Sequence, residues 1–167
     1  MKRGFAAAAC VIAADQLSKQ AVLNFFATRA EDLKITDFFN LVLRFNRGIS
    51  FSLFHRNGPL TPWVLSLVAL AVCAVIVRWM MQEKDRKNTL FFGLILGGAL
   101  GNVVDRLRFG AVVDFLDFHI GQYAWPAFNI ADSAICIGAF CLLFYNIFGA
   151  PQQPDAPKQE NKQEDLK

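Results

Sequence analysis

Four apolar stretches divide the chain. Leu60 to Val77, Asn88 to Val104 and Ser133 to Ala150 contain no charged side chain. With their flanks, each approaches the roughly 20 apolar residues needed to span the hydrocarbon core of a bilayer. The fourth stretch, from Gly4 to about Phe26, is interrupted by Asp15 and Lys19. The pattern predicts a mainly α membrane protein with four transmembrane helices, over about 5–26, 60–81, 88–106 and 128–148. Between the first two, Leu33-Lys34-Ile35-Thr36 and Leu41-Val42-Leu43-Arg44-Phe45 have strand character and Asn46-Arg47-Gly48 has turn chemistry. A small β-rich extracytoplasmic segment is therefore expected between helices one and two, over about 28–58.

Composition sharpens this picture. The 167 residues are 54% hydrophobic and 19% charged, against about a quarter charged in ordinary soluble domains. The length suits one domain, residues 1–150, followed by a tail over 151–167. That tail carries three prolines, four glutamines and seven charged residues. It lacks the apolar residues of a core and is expected to be disordered and cytoplasmic. Cys10, Cys73, Cys136 and Cys141 all fall in apolar stretches, which suggests small buried hydrophobes rather than disulfides or a metal site. His55 and His119 are far apart and lack zinc-protease spacing, so no metal or other cofactor is expected. Lys2 and Arg3 before an Ala-rich run resemble a secretory leader. The apolar run before Cys10 is short for one, though, and continues beyond it.

Basic residues set the orientation. Lys2 and Arg3 precede helix one, Arg78, Lys84, Arg86 and Lys87 lie in or beside the link between helices two and three, and Lys158, Lys162 and Lys167 follow helix four. Both termini are then cytoplasmic and the links after helices one and three lie outside. Arg29, Lys34, Arg44, Arg47 and Arg56 in the first outer link run against the rule.

Ionisable groups within lipid cost about 2.5–3.5 kcal/mol on insertion scales, so each calls for a reason. Asp15 and Lys19 stand four apart on one face of helix one, either as a snorkelling pair or as a support for a site inside the bundle. Gly93, Gly97 and Gly101 form a small-residue stripe for close helix packing. The same helix ends in Asn102-Val103-Val104-Asp105-Arg106, with an asparagine one turn deeper than a simple cap requires. Asp114 sits among apolar residues in Val112-Val113-Asp114-Phe115, and Asp132 opens the last span three residues after Asn129. Taken alone, Asp132 is equally an acid favoured by a helix N-terminus.

Two carboxylates at a water–lipid boundary suit metal-free peptide hydrolysis. Close together they share one proton, so that one acts as base on a water and the other as acid. Nearby asparagine amides would orient the water or bind the developing oxyanion. Paired acids also serve proton-coupled transporters, and a glycine-striped bundle also suits a non-enzymatic membrane scaffold. Both stand as alternatives.

Five blocks in order carry a resemblance: Asp15-Gln16-x-x-Lys19, Asn46-x-Gly48-x-Ser50-Phe51-Ser52, Gly97-Gly98-Ala99-x-Gly101-Asn102-x-x-Asp105-Arg106, Val112-Val113-Asp114-Phe115 and Phe128-Asn129-x-Ala131-Asp132-Ser133. Over roughly Phe5 to Phe148 the chain resembles the lipoprotein signal peptidases, or signal peptidase II, an aspartic peptidase family of the bacterial inner membrane. The resemblance implies a catalytic dyad of Asp114 and Asp132. It implies a pocket lined or supported by Asn46, Gly48, Asn102, Asp105, Arg106, Asn129 and Ala131, with structural support from Asp15 and Lys19. It further implies a prolipoprotein substrate cut just before its diacylglyceryl-modified cysteine, with no cofactor, metal or obligate protein partner. Ser50, preceded by bulky Ile49, replaces the alanine of the family's usual N-x-G-x-A-F-S block. The stretch from Asn46 to Phe51 is expected to close over the site as a lid.

Overall fold

The computed structural model describes residues 1–48 and 60–149. Ile49, Ser50 and Phe51, half of the expected lid, and the tail lie outside the described residues. The elements are α1 (Lys2–Phe26), β1 (Leu33–Lys34), β2 (Phe39–Asn46), α2 (Thr61–Gln82), α3 (Arg86–Phe109), β3 (Val112–Ile120), β4 (Tyr123–Ala124) and α4 (Ile130–Phe144), the last continued by a π-helical turn over Tyr145–Gly149. By length and composition α2, α3, and α4 with its π-helical end can each cross a membrane. α1 has the length, with 25 residues, but its buried face carries Asp15 and Lys19.

α3 is the central helix and packs against α1, α2 and α4. Its glycines explain how. A methyl group on Gly93 would lie 2.3 Å from the Gly4 carbonyl oxygen, one on Gly97 2.7 Å from that of Ala8, and one on Gly98 2.3 Å from that of Ala131. α1 and α3 therefore run parallel with backbones touching on one side, while α4 touches the other. Ala8, Cys73, Ile76, Met80, Phe92 and Leu96 form a core among α1, α2 and α3. The rest of α2 turns outward: Leu67, Val68, Val72 and Val75 are exposed, as expected of a helix whose solvent is lipid.

The ends of α3 are set by local chemistry. The Asp85 side chain caps the start, accepting hydrogen bonds from the Lys87 and Asn88 amides. Gly110 ends the helix in the left-handed region at φ 68°, and its amide bonds the Arg106 carbonyl. The chain then turns directly into β3.

The sheet has the order β1-β2-β3-β4, antiparallel throughout. β2 pairs with β3 from Phe39–Phe118 to Asn46–Val112, with an irregularity between Leu41 and Arg44. The expected strands after helix one are present as β1 and β2. The longest strand, β3, comes instead from the link between α3 and α4, so the β-rich part is not confined to the link between helices one and two. Val22 and Phe26 of α1 pack on Phe115 of β3, which seats the sheet on the end of the bundle.

Gly97→Val would force α1 off α3. Overpacking of this kind costs about 1–3 kcal/mol, so the thermal unfolding midpoint in detergent is expected to fall. An unchanged midpoint would contradict the close helix contact.

Candidate active site

The bundle's polar interior starts from one cation. Lys19 is 2% exposed, and its Nζ lies 2.8 Å from Asp15 Oδ2 and 2.7 Å from Asp105 Oδ2. A charge buried without partners is untenable in this setting, whereas a paired and fully hydrogen-bonded one persists. Asp15 and Lys19 thus face the bundle rather than snorkelling to its edge. Gly101 makes this possible, because a methyl group there would come 2.8 Å from Asp15 Oδ2.

Each of the two carboxylates has a second task. Asp15 Oδ1 accepts a hydrogen bond from the Ala131 amide at 2.9 Å, one residue before Asp132. Asp105 Oδ2 accepts one from the Val113 amide at 3.0 Å, one residue before Asp114. Asp105 Oδ1 also receives Gln16 Nε2 at 2.9 Å, and Gln16 reaches the Gly101 carbonyl at 3.3 Å. Gln16, a member of the Asp15-Gln16-x-x-Lys19 block, is a supporting residue beyond the site residues expected from the sequence.

Asp114 and Asp132 come from different elements, β3 and the first turn of α4, and a ring of asparagines joins them. Asn129 caps α4: its Oδ1 accepts the Asp132 amide at 2.9 Å, which turns its Nδ2 towards Asp114 Oδ1 at 2.7 Å. Asn102 Oδ1 accepts Lys19 Nζ at 3.2 Å, which turns its Nδ2 towards Asp132 Oδ1 at 2.7 Å. Asn46 Oδ1 accepts the Gly48 amide at 2.8 Å, which turns its Nδ2 towards Asp114 Oδ2 at 3.0 Å. In all three, a donor at the amide oxygen fixes which end of the side chain faces the acid. One amide hydrogen of each asparagine is thus directed at a carboxylate.

Gly48 has two reasons to be glycine. Its φ is +84°, and a methyl group there would lie 2.2 Å from Leu65 Cδ1. Ala131 is fully buried and lies against both Gly98 and Gly101, so its small side chain sets how closely α4 approaches α3. Arg106 is half-buried, close enough to feel the charges of Asp132, Asp105 and Asp114. Among the described residues it forms no ion pair within 4.0 Å.

Burial pushes the Asp114 carboxyl up to about 6, with the nearby Asp132 charge adding to the rise and the Asn46 and Asn129 amides opposing it. Asp114 opens onto a cavity of about 340 Å³ lined also by Val42, Arg44, Asn46, Asp117 and Pro126. A larger apolar cavity of about 710 Å³, lined by Phe38, Phe118, Ile120, Tyr123, Trp125 and Phe128, lies at the far end of β3 and touches neither acid.

Comparison with known proteins gives the arrangement its context. The family model described as signal peptidase (SPase) II matches residues 7–148. A lipoprotein signal peptidase from Azoarcus sp. (strain BH72) is 45% identical over 152 residues, covering 89% of this chain and 85% of that one. Another, from Ralstonia nicotianae (strain ATCC BAA-1114 / GMI1000), is 50% identical over 131 residues, covering 77% and 75%. A third, from Teredinibacter turnerae (strain ATCC 39867 / T7901), is 42% identical over 147 residues and covers 87% of each. The fold is shared with a solved bacterial membrane enzyme structure obtained by the in meso method at 1.9 Å resolution, with TM-score 0.75, 24% identity, and 90% and 96% of the two chains covered. A second such structure, at 2.3 Å resolution, gives TM-score 0.73 with 23% identity, covering 92% and 94%.

Lys19→Met leaves two buried carboxylates with no cation, whereas Asp15→Asn leaves the Lys19–Asp105 pair intact. Breaking a buried pair costs about 3–5 kcal/mol, so Lys19→Met is expected to lower the unfolding midpoint in detergent much further than Asp15→Asn. The reverse order would show that the cation does not hold the cluster.

Proposed function

The chain belongs to the lipoprotein signal peptidase (signal peptidase II) family and is a peptidase, and from that premise we propose that Asp114 and Asp132 are its catalytic dyad. This sets aside the transporter and scaffold alternatives. The observation that carries the reading is the Asn129 side chain. It grips the Asp114 carboxylate with its amide nitrogen and the backbone of Asp132 with its oxygen, tying two acids from separate elements into one unit.

With one proton between them, the ionised carboxylate takes a proton from a water held in the cavity beside Asp114. The water attacks the scissile carbonyl while the protonated carboxyl hydrogen-bonds its oxygen. When the tetrahedral intermediate collapses, the C–N bond breaks and the acid's proton passes to the leaving amine. The signal peptide departs with a new carboxylate and the remainder with a new amino group. A rise of the Asp114 carboxyl to about 6 supports the shared proton, since it keeps one carboxyl of the pair protonated under mildly acidic conditions.

The substrate in this reading is a bacterial prolipoprotein, cut just before its diacylglyceryl-modified cysteine. Such a substrate arrives from the lipid phase and enters between helices. Both termini of the enzyme are placed in the cytoplasm, and the sheet and dyad at the outer face of the inner membrane. The basic residues at the starts of α1 and α3 support this orientation. Asn46, Gly48, Asn102, Asp105, Arg106, Asn129 and Ala131 line or support the pocket, Asp15 and Lys19 hold it from behind, and residues 1–150 form the working domain.

Cleavage of a purified diacylglyceryl-modified precursor tests the dyad. Asp114→Asn and Asp132→Asn are each expected to fold with the wild-type melting profile and to lose at least about a hundredfold in turnover, as loss of a general acid or base requires. Near-wild-type turnover by either folded variant would remove that aspartate from the mechanism.

A further inference from the structure

The apolar cavity at the far end of β3 has a volume of about 710 Å³, within the range of roughly 300–1,000 Å³ common to ligand pockets. Aromatic rings build this end of the sheet. Phe39 stacks on Phe118 with ring centroids 4.8 Å apart, and Phe118 stacks on Phe128 at 5.8 Å. Among the described residues, the cavity lining contains no Asp, Glu, Lys or Arg. Ile120 is 82% and Trp125 69% exposed, so the outer rim is apolar surface that the chain itself leaves uncovered.

The position of the cavity narrows what fills it. Phe128 stands two residues before Ile130, where α4 begins, and α4 with its π-helical end is long and apolar enough to cross a membrane. The cavity therefore opens near the level at which the last helix enters the bilayer, a depth that suits Trp125 and Tyr123. It also adjoins the proposed catalytic centre. Phe128 immediately precedes Asn129, which bonds the Asp114 carboxylate and the Asp132 amide. Residues 124–128 run beside β3, with the Trp125 amide donating to the Phe118 carbonyl and the Phe128 amide to that of Leu116. Within this stretch Ala124, Trp125 and Phe128 line the apolar cavity, whereas Pro126 and Ala127 line the cavity beside Asp114. One short length of chain thus forms a wall of both spaces. From Asp114 to Phe118 is four strand residues, about 13 Å at roughly 3.3 Å per residue.

We propose that this cavity is a subsite of the peptidase that takes one acyl chain of the diacylglyceryl group on the substrate cysteine. The subsite rests on the prolipoprotein reading above. With the bond before that cysteine held at the dyad, the glyceryl arm starts beside the reacting centre, and its ester-linked chains extend to the wall of Phe118 and Phe128. An acyl chain carries no charge and no polar group beyond its ester, which matches a lining without fixed charges. A peptide segment would instead bring an amide and a carbonyl at every residue, each needing a partner. Bilayer lipids offer the same chains, but the wall shared with the catalytic cavity favours the chain that the substrate itself carries. Each methylene removed from water against the rings adds to the affinity.

The test compares precursors that differ only in the acyl chains on the cysteine, palmitoyl or butanoyl, in one detergent. Wild type is set beside Ile120→Ser/Trp125→Ser and the apolar Ile120→Leu/Trp125→Phe. Wild type is expected to prefer the palmitoyl precursor in kcat/KM. The serine variant should lose at least about tenfold of that preference, and the leucine–phenylalanine variant should keep most of it. Cleavage of the butanoyl precursor reports that each variant is folded. In wild type, a palmitoyl precursor with a diazirine near the chain end should label peptides from residues 118–128 on illumination. An undiminished preference in the folded serine variant, no preference in wild type, or labelling confined to the exposed faces of α2 and α4 would overturn the subsite. The last result would leave the acyl chains in the bilayer. Wild type that cleaves neither precursor would instead overturn the prolipoprotein reading, and the subsite with it.

Discussion

A lysine ammonium inside a membrane bundle cannot be left alone, and the way Lys19 is satisfied organises everything around it. Two carboxylates flank it, Asp15 from its own helix and Asp105 from α3. Neither carboxylate is fully used by the cation. Each turns a remaining lone pair to a backbone amide, and those amides belong to the residues just before Asp132 and Asp114. Lys19 also holds the oxygen of Asn102, which frees the amide nitrogen for Asp132. The cation therefore touches neither proposed catalytic acid, yet it fixes the backbone beneath both. A buried ion cluster is weak evidence for stability as such. Here it serves to set one geometry among several that a four-helix bundle might adopt.

That cluster forms only because the backbones come close. Charges separated by ordinary helix spacing would need long side chains or water to meet. Gly93, Gly97 and Gly101 let α1 lie directly on α3, and Gly98 does the same for α4 at Ala131. The glycine stripe is thus as much a part of the site as the acids, and its effect reaches Asp132 through Ala131. The outer wall is completed by β3, whose Phe115 packs on Val22 and Phe26 while its neighbour Asp114 points to Asn46 and Asn129.

Much of this was legible in the sequence. Uncharged stretches marked α2, α3 and α4, and the polar residues in the wrong solvent named Asp15, Lys19, Asn102, Asp105, Asp114 and Asp132 as residues needing a reason. The reason itself was not legible for Asp15 and Lys19. Their partners lie on α3 and at the start of α4, and spacing within one helix cannot distinguish a snorkelling pair from a buried one. The β3 strand has a signal of its own, a run of β-branched and aromatic residues from Val112 to Ile120 between Gly110 and Gly121, but the acid within that run interrupts its apolar pattern. The asparagines were recognised, but which end of each amide faces an acid depends on donors brought in by the fold.

The central claim is that Asp114 and Asp132 form one coupled unit. The most direct test is to titrate the Asp114 carboxyl by carbon-13 magnetic resonance in isotope-labelled protein, comparing wild type with Asp132→Asn. In wild type the carboxyl is expected to titrate near 6. Removing the Asp132 charge should move it down towards the ordinary carboxylate range, leaving the part of the rise that burial alone causes. A carboxyl that titrates in the same place in both proteins would mean that the two acids do not share a proton, and the dyad would be contradicted.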